Sequence, residues 1–311
     1  MTIPWFYCLI FYFFRLNLFF NSSCPILFWV LIEINLISFS LIILIDKNVL
    51  TKVDSLNFIL YYFIVQSRAS ILFLRNFSFS DWGGIFNNEH IFLISLILKV
   101  GLFPLFFWVF TMGFNLGLMR VFLLLSFQKI PLFSALYSFN SPILETLLFL
   151  SFFVGRLILL FRERFLVICI SSSISYTLIL YFFFFISYKL FLGFFLLYRA
   201  FLGLALSVYF KGFSLSPHLL FWVFCFFLGL PPLGLFFFKL VLSEEFLLFF
   251  GPLELIIFWV GTIIGLVGYL KFFYYSFYRE SFLYKIPSIL SKNLVLIFRI
   301  FFSSIFLFFS L

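Results

Sequence analysis

Apolar residues come in runs of about twenty, separated by short breaks where Lys, Arg, Asp and Asn collect. A helix rises 1.5 Å per residue, so about 20 apolar residues cross the hydrocarbon of a bilayer. The pattern predicts about 11 membrane helices, over 3–20, 24–45, 56–75, 90–112, 117–138, 143–161, 165–187, 190–210, 217–242, 252–276 and 287–310. The longest link, 76–89, carries Asp81, Trp82, Gly83, Gly84 and Glu89. No linker or soluble domain interrupts the series. The expectation is an all-α polytopic membrane protein forming a single membrane domain over 1–311.

Composition agrees: 65% of residues are hydrophobic, 10% are charged and the mean hydropathy is +1.26, well outside soluble domains. The 60 Phe residues are a separate oddity. Lipid barely distinguishes Phe from Leu or Ile, so a codon bias, such as an AT-rich organellar genome would impose, could enrich Phe at little cost to insertion. The four cysteines, Cys8, Cys24, Cys169 and Cys225, show no CxxC or Cys/His spacing, which argues against a metal site or a disulfide framework. The net charge of +9 is spread over the links and reads as topology, not nucleic-acid binding. No basic segment precedes the first apolar run, so a cleaved signal peptide is not expected.

The basic residues predict an orientation. Links after even-numbered spans hold Lys47, Lys52, Arg120, Arg162, Arg164, Lys211, Arg279, Lys285 and Lys292. Those after odd-numbered spans hold little beyond Arg75 and Lys189, and one carries Glu244 and Glu245. The positive-inside rule puts the N-terminus on the cytoplasmic or matrix side and, with an odd span count, the C-terminus opposite.

Four charges sit where none belongs. Lys99 lies within the apolar run 91–112, in LKVGLFPLFFW, with Gly101 and Pro104 just beyond it. Glu33 is central in FWVLIEINL, Lys129 precedes Pro131 in LSFQKIPL, and Lys239 follows Pro231 and Pro232 in LGLPPLGLFFFK. A charge at mid-bilayer costs roughly 2.5–3.5 kcal/mol on insertion scales, so four cost about 10–14 kcal/mol unless paired, hydrated or neutralised. Proline removes a backbone donor and breaks the helix, and irregular backbone survives at that depth where it lines a wet cavity. Glu33, Lys99, Lys129 and Lys239 are therefore candidate proton-storage groups, with Gly101, Pro104, Pro231 and Pro232 as helix breaks. The fourth and ninth spans both combine a lysine with a Gly/Pro break. Five spans apart, they predict two five-helix repeats, 1–140 and 141–280, inverted relative to each other, with a C-terminal helix in 281–311.

Other polar residues take plainer readings. Arg15, Lys271 and Arg299, nearer span ends, are expected to snorkel. Arg199 lies deeper and is open to snorkelling or a channel role. Glu145 is expected to cap the span 143–161, and His90 and His218 sit at predicted helix starts where a proton-shuttle role is open to them. The SSSIS run 171–175 either bonds to neighbouring helices or lines a wet path.

Several motifs occur together and in order: W-x3-EIN at 29–35, YYFIVQSRAS at 61–70, LK-x-G-xx-P-xxx-W at 98–108, QK at 128–129, SSIS at 172–175, and GLPP at 229–232 followed by Lys239 and EEF at 244–246. In these the chain resembles the mitochondrial NADH dehydrogenase subunit 2 family, the antiporter-like membrane subunits of respiratory complex I. The resemblance implies a core membrane-arm subunit of NADH:ubiquinone oxidoreductase, moving protons across the inner mitochondrial membrane as quinone is reduced elsewhere. Glu33 would be the key glutamate paired with Lys99, Lys129 the connecting lysine, and Lys239 the terminal lysine. It implies no cofactor on this chain, with NADH, FMN, iron–sulfur clusters and ubiquinone on other subunits. The implied partners are other membrane-arm subunits, including antiporter-like neighbours, and the lipid bilayer, with cardiolipin or a similar anionic lipid at the basic links and no nucleic acid. The N-terminus would face the matrix and the C-terminus the intermembrane space. Two positions depart from the family pattern: Phe106 and Tyr176 stand where histidine is frequent. The alternatives are a stand-alone cation/proton antiporter and a structural subunit whose channel has decayed.

Overall fold

The computed structural model describes residues 25–45, 52–80, 89–133, 141–162, 164–210, 234–249 and 251–281. The predicted spans 3–20 and 287–310 lie outside the described residues, as do Pro231, Pro232, His218, Arg15, Arg299, Cys8, Cys24 and Cys225. The described elements are all helical. They are α1 (Pro25–Ile45), α2 (Lys52–Ser80), α3 (Glu89–Val100), α4 (Phe107–Asn115), α5 (Leu118–Leu125), α6 (Pro142–Phe161), α7 (Phe165–Ile186), α8 (Tyr188–Phe210), α9 (Gly234–Phe249) and α10 (Pro252–Ser281). Four of them contain stretches long and apolar enough to cross a membrane: 142–161, 165–186, 188–207 and 252–272.

α7 is the centre. From Phe165 to Phe183 every residue is buried, so this helix is apolar all round because protein surrounds it. Its serine hydroxyls donate within the helix, which leaves their oxygens to accept from neighbours, as Ser173 Oγ does from Lys129. Ser171, Ser172, Ser173 and Ser175 each donate to the carbonyl three residues back, at 2.7–3.1 Å, which answers them within the helix. α6 and α8 flank α7, and α4 reaches it from the first half of the chain. α1, α2 and α3 pack in sequence, and α5 lies against α8.

α10 closes on α6 through small residues. A Cβ on Gly261, Gly265 or Gly268 would overlap Phe152, Arg156 or Leu159 of α6 respectively. In lipid no hydrophobic effect draws helices together, so close approach and dispersion do that work. Aromatic packing extends it: Phe149, Phe182, Phe246 and Phe258 join α6, α7, α9 and α10 at centroid separations of 4.8–5.8 Å.

Two predicted spans are broken. The expected helix 90–112 is α3 and α4 with a non-helical link between them. Gly101 takes φ +73°, and the Gly101 and Leu102 amides both donate to the Ile97 carbonyl, at 2.9 and 3.1 Å, closing the helix as glycine C-caps do. Pro104 follows and has no amide with which to continue the ladder. The expected helix 117–138 is α5, then a 3-10 turn over Phe127–Lys129, with helix resuming at 130–133. Pro131 has no amide to offer the Phe127 carbonyl, and Ile130 supplies it from one residue closer, which tightens the turn to 3-10.

Some boundaries and roles move. α2 runs to Ser80, deeper into the expected 76–89 link, and α9 carries Glu244 and Glu245 inside the helix rather than in a link. Arg120, expected in a basic link, lies in α5 with only 2% of its surface exposed. Ser141, not Glu145, caps α6: its hydroxyl accepts the Leu144 amide at 3.2 Å, while Glu145 sits in the first turn where the helix dipole favours an anion.

Gly101→Ala is expected to destabilise the fold by at least about 1–2 kcal/mol, the cost of left-handed backbone for an L residue. The new Cβ also meets Val109 Cγ2. A lowered thermal unfolding midpoint of the detergent-solubilised protein checks it, and an unchanged midpoint contradicts it.

Candidate functional site

The break in the span 90–112 changes what Lys99 is. In an unbroken span it would be a mid-membrane cation; here it lies in the last turn of α3, where the helix end carries partial negative charge. Its Nζ stands 3.4 Å from Glu33 Oε1 on α1. The lysine side chain is 1% exposed and the glutamate 24%, so the pair is open on the carboxylate side. The broken backbone is answered too. Because Leu102 bonds to Ile97, the Leu98 carbonyl loses its helical donor, and the Trp108 indole N–H takes it at 2.9 Å. Trp108 thereby ties α4 to the end of α3.

A small cavity of mixed polar and apolar lining opens beside this pair. Asn35 and Leu36 of α1, Tyr62 and Gln66 of α2, Lys99, Trp108 and Gln128 are among its lining residues. The space open to a water centre is about 20 Å³. One water needs about 10–15 Å³ and two or more polar partners, so the site can hold one. Across it Asn35 Nδ2 donates to Gln128 Oε1 at 3.0 Å.

Lys129, the next residue, turns the other way. Its Nζ donates to the Ser173 carbonyl at 2.8 Å and reaches Ser173 Oγ at 3.3 Å. The 3-10 turn thus presents Gln128 to α1 and Lys129 to α7. Arg199 of α8 stacks on this turn, its guanidinium 3.2 Å from the Phe127 ring centroid. That contact packs it against the broken helix.

Lys239 lies on α9, 4% exposed, one turn before Ser243. Its charged neighbour is another cation, Arg156 of α6. Arg156 is 1% exposed and stacks between Phe152 and Tyr176, at 5.2 and 5.1 Å from their centroids. The sequence reading passed over Arg156, although a cation inside the run FLSFFVGRLILLF carries the same signal as Lys99. Asn35–Gln128 and Trp108–Leu98 had no such signal, because neither polar side chain is out of place by itself. Lys271 Nζ donates to the Leu160 carbonyl at 3.2 Å, near the end of α6. His90 is exposed at the start of α3, and Phe106 is buried at the start of α4. Among the described residues no group of three or more His, Cys, Asp or Glu could hold a metal.

The fold defines the class. The chain matches a chain of respiratory complex I from Thermus thermophilus, solved with bound aureothin, at a TM-score of 0.75 and 19% identity, over 88% of this chain and 70% of that one. At that identity the likeness is one of fold. Sequence narrows it: the chain is similar to three curated proteins, each named NADH-ubiquinone oxidoreductase chain 2. It is 32% identical to that of Rhipicephalus sanguineus over 110 residues, 34% of this chain and 32% of the relative. With that of Albinaria caerulea it shares 29% over 103 residues, 32% of each, and with that of Artemia franciscana 31% over 152 residues, 48% of this chain and 45% of the relative. The match thus spans about a third to just under half the length of these relatives. No family model matches the chain.

Trp108→Phe keeps the ring but removes the donor to Leu98. It is expected to cost about 1–3 kcal/mol, the range for orphaning a buried carbonyl. Faster amide hydrogen exchange at Leu102 checks the local effect, and wild-type protection there would show that the indole bond is dispensable.

Proposed function

We propose that the chain is a membrane-arm subunit of a proton-translocating NADH:ubiquinone oxidoreductase, with Glu33, Lys99, Lys129 and Lys239 moving protons. The observation that carries it is the Lys99–Glu33 pair at a broken helix, beside a cavity whose far wall is the Lys129 turn. An inert span has no use for that arrangement. The relatives' shared name supports the complex over a self-standing cation/proton antiporter.

The mechanism follows from the charges. Glu33 stabilises the Lys99 ammonium while the two stay together. Movement of the carboxylate, whose side is open, withdraws that stabilisation, and the proton can pass to water in the cavity. Gln128 and Asn35 orient that water, and the Lys129 turn couples the cavity to α7. Moving one charge through 100 mV takes about 2.3 kcal/mol. A one-unit pKa change is worth about 1.4 kcal/mol, so opening and closing one ion pair supplies energy of the right order.

The finer architecture belongs to the same reading. The spans of 1–140 and 141–280 form two inverted five-helix repeats within about 11 spans, with broken helices around Gly101–Pro104 and Pro231–Pro232, and the final helix follows in 281–311. The chain sits in the inner mitochondrial membrane, N-terminus to the matrix and C-terminus to the intermembrane space. Its partners are other complex I membrane-arm subunits, antiporter-like neighbours among them, and anionic lipid such as cardiolipin at the basic links. NADH, FMN, iron–sulfur clusters and ubiquinone are bound by other subunits.

Lys99→Met and Glu33→Gln in the assembled complex are expected to lower protons pumped per NADH oxidised, with assembly intact. Simultaneous proton-uptake and NADH-oxidation assays in sealed vesicles check it. Wild-type pumping by both variants in an intact complex would overturn the assignment.

A further inference from the structure

α2 has two unlike faces. Ile59, Tyr62, Gln66, Ala69 and Phe73 recur every three or four residues and are buried, and α1, α3 and α4 pack on this helix. Leu60, Ile64, Arg68 and Ile71 form a second stripe, at spacings of four, four and three, and all four are exposed. Leucine and isoleucine suit lipid; an arginine among them does not. Arg68 lies seven residues, about 10 Å of helix, short of the nearer end of the predicted span 56–75. Helical side chains lean toward the N-terminus, which carries Arg68 away from that end and back toward Ile64. Snorkelling to the nearer interface therefore works against the geometry of the helix.

A guanidinium facing outward in hydrocarbon needs an anion. Among the described residues nothing forms a hydrogen bond or ion pair with Arg68. The sequence supplies no carboxylate for it either. Glu33 is the only acidic residue beyond the first three positions of any predicted span, and Lys99 holds it. The predicted spans 3–20, 217–242 and 287–310 contain no Asp or Glu at all. The anion therefore comes from another molecule. A lipid phosphate is confined to the headgroup layer, whereas a carboxylate on a transmembrane helix can stand at any depth. The planar fork of arginine matches a carboxylate with two parallel bonds, which suits it to ion pairs between proteins.

We propose that the stripe of Leu60, Ile64, Arg68 and Ile71 is the contact for a transmembrane helix of another subunit, and that this helix carries an Asp or Glu at the depth of Arg68. The charge pair selects the partner and fixes its register along α2, and the apolar positions supply the packing. This rests on the reading of the chain as one subunit of a membrane complex, and adds which face meets a neighbour and with what chemistry.

The test uses the assembled complex in its membrane, carrying Arg68→Lys and treated with a lipid-soluble carbodiimide. The reagent activates a carboxylate, the introduced amine displaces it, an amide forms, and the carboxylate oxygen leaves on the urea. Lys99 and Glu33, 3.4 Å apart, couple in the same sample and show that the reagent has worked. The expected product, read by mass spectrometry, is an amide between position 68 and an Asp or Glu of a second subunit. Arg68→Leu should lower the share of the chain that stays with the complex in native electrophoresis as detergent is raised, with Arg68→Lys close to wild type. A phosphoramidate with lipid, an amide within the chain, or no product at position 68 overturns the inference, as does wild-type retention of Arg68→Leu. Where Lys99 and Glu33 also fail to couple, the retention of Arg68→Leu decides alone. None of these results removes the chain from the complex; its purification without other subunits would remove the broader reading as well.

Discussion

A cation held in hydrocarbon must be answered by an anion, by water or by the loss of its proton, and much of this fold is arranged around how Lys99 is answered. Glu33 comes from α1, the backbone break from Gly101 and Pro104, and the cover over the broken end from Trp108. Without the break Lys99 would sit in mid-helix, far from the partial negative charge of a helix end. Without Trp108 the break would leave the Leu98 carbonyl bare at a depth where water is scarce. The pair and the broken helix are one device.

The same logic recurs along the chain with different chemistry. At Lys129 the break is a 3-10 turn forced by Pro131, and the answer to the charge is the backbone and hydroxyl of Ser173. The turn also separates two directions, Gln128 toward the cavity and Lys129 toward the fully buried α7. α7 is thus shared by both halves: α4 and the Lys129 turn reach it from one side, α6 and α8 from the other. Arg199 braces the turn through Phe127, which gives this guanidinium a structural use.

Much of this was legible in the residues, for a physical reason. Helices over apolar runs, and charges stranded inside them, follow from the cost of polar groups in lipid, which acts on each residue separately. Burial of Lys99, Lys129 and Lys239 therefore agrees with their positions in the chain. What was not legible depends on pairs. Asn35 and Gln128 are 93 residues apart, and nothing local announces their bond. Nothing local announces either that the Trp108 indole completes a hydrogen bond ten residues back. Arg120 looked like a surface charge because it falls near a predicted span end, where snorkelling is the ordinary outcome, but neighbouring helices enclose it. Arg156 is different: it carries a local signal, a cation in the middle of an apolar run.

The central claim is that buried charge, broken backbone and water coincide at Lys99. A density map of the assembled complex at a resolution that shows ordered solvent tests it most directly. The account predicts at least one water in the cavity bounded by Lys99, Asn35 and Gln128, with Lys99 within ion-pair distance of Glu33. A dry cavity with the lysine and glutamate turned apart would contradict it.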